Sequence, residues 1–96
     1  MSALMIALVK IKDAAKMQQY SAAAAPTIIA AGGEILGRGK HVEALAGSLD
    51  LSAALIARFP SAAAAHAWYH APAYQALIPL RDEAMVPTFF VLEEPA

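Results

Sequence analysis

Three short runs of this chain, Leu4–Ile11, Ser52–Phe59 and Val86–Glu94, are apolar at odd and even positions alike, apart from Arg58, Thr88 and the polar ends. Successive side chains of a β-strand point to opposite faces of its sheet. Met5, Ala7, Val9 and Ile11 therefore face one way and Leu4, Ile6 and Leu8 the other, and Phe89 and Val91 oppose Phe90 and Leu92 in the same manner. A sheet of such strands needs cover on both faces, because a wholly exposed apolar sheet is insoluble. Ninety-six residues make one small domain, residues 1–96, with few segments left over to provide that cover.

The segments between the strands read as helices. Asp13 is a good N-cap for a helix running to about Ala31, with Met17, Tyr20, Ala24, Ile28 and Ala31 on one stripe. Pro26 predicts a kink or break near Ala25, and Gly32-Gly33 ends the helix. Glu34 to about Ala46 reads as extended, with Gly37 and Gly39 around Arg38 predicting a bulge, bend or tight hairpin, before a turn at Gly47-Ser48-Leu49-Asp50. Ser61 caps a helix through about His70, Pro72 opens another, and Pro79 distorts its end. The order is β-α-β-β-α-β, an α+β ferredoxin-like arrangement with a four-stranded antiparallel sheet and a second helix broken in two. Both helical segments then pack on one face of the sheet. The other face falls to a second copy of the chain, so the sequence predicts a homodimer, sheet against sheet.

Composition supports that expectation and removes several functions. The chain is 59% hydrophobic, but about a quarter of it is alanine, which buries little area per residue. A thin core gains from oligomerisation. The net charge is −1, without a basic run for nucleic acid or a basic amphipathic face for a membrane surface. The apolar Met1–Val9 run is far short of a membrane span, and Lys10 and Lys12 follow it rather than precede it. No nucleic-acid or membrane partner is expected. The absence of cysteine excludes disulfides, thiolate zinc sites and a cysteine nucleophile, and fits the reducing cytoplasm in which the protein is expected to work.

Particular residues then form a pattern. Asp13, Tyr20, Pro26, Gly32-Gly33, Arg38-Gly39 and Glu43 make its first half. Phe59-Pro60-Ser61, Ala67-Trp68-Tyr69, Pro72, Tyr74-Gln75 and Leu80-Arg81 make its second and more specific half. The pattern resembles the domain-of-unknown-function 1330 family over nearly the whole chain. The resemblance implies a dimeric α+β barrel, in the superfamily of antibiotic-biosynthesis-type monooxygenases, muconolactone isomerase and chlorite dismutase. It implies no established reaction. The chain departs from the pattern at Met17, at Ser48–Ser52 and at Ala71, so the helix at Pro72 lacks a side-chain cap.

The candidate ligand-binding residues are Tyr20, Arg38, His41, Tyr69, Tyr74 and Arg81. Tyr69 and Tyr74, with Trp68, form an aromatic cluster able to wall a small-molecule pocket or simply to fill core. Arg38 and Arg81 carry the fork that binds a carboxylate bidentately; the plainer reading is internal pairing, for instance with Glu43, or solvation. Tyr20 lies on a buried stripe where its hydroxyl needs a partner, and with Arg38 it would make a polar spot at the helix–sheet junction. His41 is a candidate acid–base group or an ordinary surface histidine. His66 and His70 have the i, i+4 spacing of a metal pair but no third ligand, so no metal site is expected, and no cofactor. Arg58 points from its strand amid apolar neighbours, to reach the dimer interface or a carboxylate there, with Glu93 on the neighbouring strand a candidate. The reading is a dimeric protein binding a small metabolite, aromatic or anionic, in a helix–sheet cleft. The alternative is a cofactor-independent small-molecule enzyme, monooxygenase- or isomerase-like.

Overall fold

A computed structural model describes residues 1–95. The chain runs β1 (Ala3–Ile11), α1 (Ala14–Ala30), β2 (Glu34–Lys40), β3 (Ala53–Phe59), α2 (Ala62–His70), α3 (Pro72–Gln75), α4 (Ile78–Ala84) and β4 (Met85–Glu93). The strands form one antiparallel sheet in the order β2-β3-β1-β4, the ferredoxin-like topology. Met5 lies opposite Ala57 and Val91, and Ala7 opposite Leu55 and Phe89, all on the helix-covered face. Ile6 lies opposite Ile56 and Phe90, and Leu4 opposite Arg58 and Leu92, on the face without helices. The core sits on the helix side, where Met5, Ala57, Phe59 and Met85 meet Tyr20, Ala24 and Ile28 of α1, Ala65 and Trp68 of α2, and Tyr74 of α3.

Local chemistry sets most element ends. The Asp13 carboxylate accepts from the Lys16 N–H at 3.0 Å, and the Ser61 hydroxyl accepts from the Ala64 N–H at 3.0 Å. Gly32, at φ 85°, turns the chain out of α1. Gly33 is required by contact instead: a Cβ there would stand 2.7 Å from a methyl of Ile28 and 2.9 Å from the Phe59 ring.

Several sequence expectations need correction. Pro26 neither breaks nor ends α1, which is continuous from Ala14 to Ala30. Pro26 and Ala22, whose carbonyl loses its partner, both lie on the exposed side, where water satisfies that carbonyl. The second helix is broken into three pieces rather than two. Pro79 sits in the first turn of α4, where its missing N–H costs nothing, rather than distorting the end of α3. The extended segment from Glu34 ends at Lys40, short of Ala46, because β3 begins only at Ala53 and leaves the intervening residues without a ladder partner. The expected bulge is present: Ile35 pairs with Ala57 and Gly37 with Ile56, leaving Leu36 over. Arg58 pairs with Glu94 rather than Glu93, through Nε at 2.7 Å and Nη2 at 3.1 Å. Alternation explains the difference, since Glu93 follows Phe89 and Val91 onto the helix side while Glu94 falls on the side of Arg58.

Candidate functional site

Two cavities flank the packed aromatic centre. One, of about 380 Å³, lies beneath α1 and above β1, β3 and β2, with Met17, Tyr20, Ile28, Leu55 and Arg38 in its wall. The other, of about 580 Å³, opens between α2 and β4, with His66, Tyr69, Arg81, Phe89 and Val91 in its wall. Met5, Trp68 and Phe89 line both and so partition them. The alanines of α1 and α2 are too short to fill the space between helix and sheet, which is the local reason both cavities exist.

A polar chain runs through the partition. The hydroxyls of Tyr20 and Tyr74 lie 2.7 Å apart. Arg81 Nη1 donates to the Tyr69 hydroxyl at 2.8 Å and, more weakly, to the Tyr74 hydroxyl at 3.4 Å. Its Nε donates to Asp82 at 3.0 Å. The guanidinium is also held over the rings of Tyr69 and Phe89, 5.8 and 5.7 Å from their centroids. Trp68 packs on Tyr74 with centroids 4.5 Å apart, and its indole N–H donates to Thr27 at 3.0 Å.

Donor counting fixes the Arg81 end of this chain. A guanidinium cannot accept, so the Tyr74 oxygen accepts from Arg81. Tyr74 is fully buried, and among the described residues Tyr20 is the one acceptor its proton reaches. Either hydroxyl of that pair can be the donor, so the chain leaves neither tyrosine with an assigned free proton. Burial pushes the Tyr20 hydroxyl far above the ordinary phenol range, with the Tyr74 bond adding to it. Burial also raises Tyr74, against the opposing bonds to Tyr20 and Arg81. For Arg81 burial acts to lower the pKa, but the bonds to Tyr69, Tyr74 and Asp82 outweigh it and hold the group above its usual value. At neutral pH the centre is two neutral phenols against a fixed cation.

The family described as Domain of unknown function (DUF1330) matches residues 2–95. The chain belongs to the DUF1330 family. No curated protein matches it. Among solved structures, a protein of unknown function from Rhodopseudomonas palustris is similar at 21% identity and TM-score 0.81, over 99% of this chain and 83% of that one. A dimeric ferredoxin-like protein of unknown function from Thermobifida fusca is similar at 17% identity and TM-score 0.69, over 98% and 92%. SnoaB, a cofactor-independent oxygenase from Streptomyces nogalater, is similar at 12% identity and TM-score 0.73, over 99% and 94%. At these identities the likeness shows the ferredoxin-like fold alone.

Four of the candidate residues in this DUF1330 chain, Tyr20, Tyr69, Tyr74 and Arg81, meet in one hydrogen-bonded chain. Arg38 shares the cavity beneath α1 with Tyr20 but makes no hydrogen bond or ion pair among the described residues, to Glu43 or to any other. Arg38, Tyr74 and Arg81 do not converge on one cavity, since Arg38 lines one and Arg81 the other. His41 lies outside both, its backbone N–H bonded to Ser52 at 2.8 Å. His66 and His70 are exposed with rings 4.3 Å apart, and no cluster of three metal-ligating side chains forms among the described residues. Sequence reasoning missed Thr27, Asp82 and Phe89; Phe89 alone had a signal, its place on the helix-facing stripe of β4.

Proposed function

We propose that this DUF1330 chain binds a small aromatic or anionic metabolite in the cavity beneath α1. The observation that carries this reading is an apolar space of about 380 Å³ whose one charged wall residue, Arg38, has no protein partner among the described residues. Ligand pockets fall in this size range and pair apolar walls with a few placed polar groups. A ring fits against Met17, Leu55 and Ile28, and an oxygen acceptor is met by Arg38. The space around Gly37 and Gly39 is open, so nothing hems in the guanidinium between them.

Two copies of the chain pair sheet to sheet in this reading, covering Leu4, Ile6, Leu8, Ile56, Phe90 and Leu92. The partly exposed Ile56, Phe90 and Leu92 support it, as do structural neighbours described as dimeric. We place the protein in the cytoplasm on its cysteine-free composition; no helix among the described residues is long and apolar enough to cross a membrane.

A second reading, a cofactor-independent enzyme, draws on the tyrosine–arginine chain. Neutral Tyr20, in the wall of that cavity and in a hydrogen-bonded chain with Tyr74 and Arg81, is the group that would give a proton to a substrate oxygen. It differs from simple binding in predicting that a bound compound is consumed.

A thermal-shift screen with small aromatic acids tests the proposal, since a ligand of the folded state raises Tm by mass action. At least one acid should raise Tm, and Arg38→Ala should shrink that rise. The proposal fails if none does, or if Arg38→Ala leaves every rise intact.

A further inference from the structure

We propose a second ligand site, in the cleft between α2 and β4, that takes a small carboxylic acid on Arg81 and Tyr69. It does not depend on the cavity beneath α1. A guanidinium carries five N–H groups. Nε gives one to Asp82, and Nη1 gives its two to Tyr69 and Tyr74. Nη2 has no partner among the described residues. Yet no fully buried side-chain nitrogen or oxygen there lacks a partner, so Nη2 reaches open space. Arg81 as a whole is 8% exposed, and of the two cavities it lines only the α2–β4 cleft. In this proposal the two free N–H groups open into that cleft.

Tyr69 supplies the second donor. Its hydroxyl accepts from Arg81 and keeps its own proton, and the residue is half-buried in the wall of the same cleft. The Tyr69 hydroxyl stands 2.8 Å from Nη1 of the same guanidinium, and in this proposal its O–H and Nη2 meet the two oxygens of one carboxylate. The charge balance favours an anion. Arg81 is a buried cation whose counter-ion, Asp82, has a side chain 56% exposed and so screened by water. The walls beyond the donors are Phe89, Val91, Pro87, Trp68 and Met5, which accept an apolar body. Glu93 is the one carboxylate lining the cleft, and it lies four residues past Phe89 on β4, about 13 Å from the Arg81 end. It does not compete for the head group.

Titration of ¹⁵N-labelled protein with sodium benzoate and sodium 2-naphthoate, with benzamide as the neutral control, tests the site. The amides of His66, Tyr69 and Val91 should move with the acids, and benzamide should bind at least about tenfold more weakly. Tyr69→Phe should weaken acid binding, read at the cleft amides, about fivefold and Arg81→Lys about tenfold. Tyr69→Phe keeps the ring, so the test survives if Arg81→Lys misfolds. The proposal is overturned if the acids move only Ser21 and Gly39, in the cavity beneath α1, a result that would leave the first reading standing. It is overturned equally if neither acid moves the cleft amides up to about 10 mM, or if Tyr69→Phe binds both acids as tightly as the unsubstituted protein.

Discussion

Tyr74 has no route to solvent, so its hydroxyl is satisfied inside the molecule or not at all. Removing that hydroxyl strands the Tyr20 hydroxyl and weakens the seat of Arg81. Tyr74→Phe should cost about 1–2 kcal/mol in urea unfolding, and the Tyr20→Phe/Tyr74→Phe pair should cost less than the two single changes summed, because each change orphans the other's partner. The same pair sets an alkaline limit. Both phenols are raised in the folded state, so their contribution is whole below the unfolded tyrosine value, near pH 10, and is lost as pH rises above it. Absorbance titration should therefore show Tyr20 and Tyr74 ionising late and together with unfolding; their early ionisation in a folded protein would contradict the buried chain. The need for a Tyr20 partner is readable from its place on the apolar stripe of α1. That the partner is Tyr74, 54 residues on, is not, because only the finished fold brings them together.

At the scale of elements, what was readable in the sequence was what short-range chemistry decides. Asp13 and Ser61 cap the helices they precede, Gly32 ends α1, and Pro72 opens α3. What was misread depended on distant surroundings. Pro26 is tolerated because the carbonyl it strands faces water, and Pro79 starts a new helix because the chain turns at Leu77. The end of β2 is set by where β3 begins, not by any residue of β2. One local rule remains unmet: Ala71 stands at the N-cap of α3 in extended conformation with no side-chain acceptor. Ala71→Ser should therefore stabilise the protein by about 0.5–1 kcal/mol, read as a raised urea midpoint with an unchanged slope.

For the whole molecule, one alternation organises everything else. The even and odd positions of β1 divide between a face buried under helices and a face of Leu4, Ile6 and Leu8 without them. That division was visible in the sequence, and it placed the core, the helices and the expected partner surface. The two cavities were not visible, because they arise where alanine-rich helices fail to fill the space above the sheet. The most direct test of the account is therefore the state of the uncovered face. Sedimentation equilibrium at micromolar concentration should give twice the chain mass of 10.0 kDa, and Phe90→Arg should return it to the single-chain value with the fold retained by circular dichroism. A single-chain mass for the unsubstituted protein across that range would contradict it.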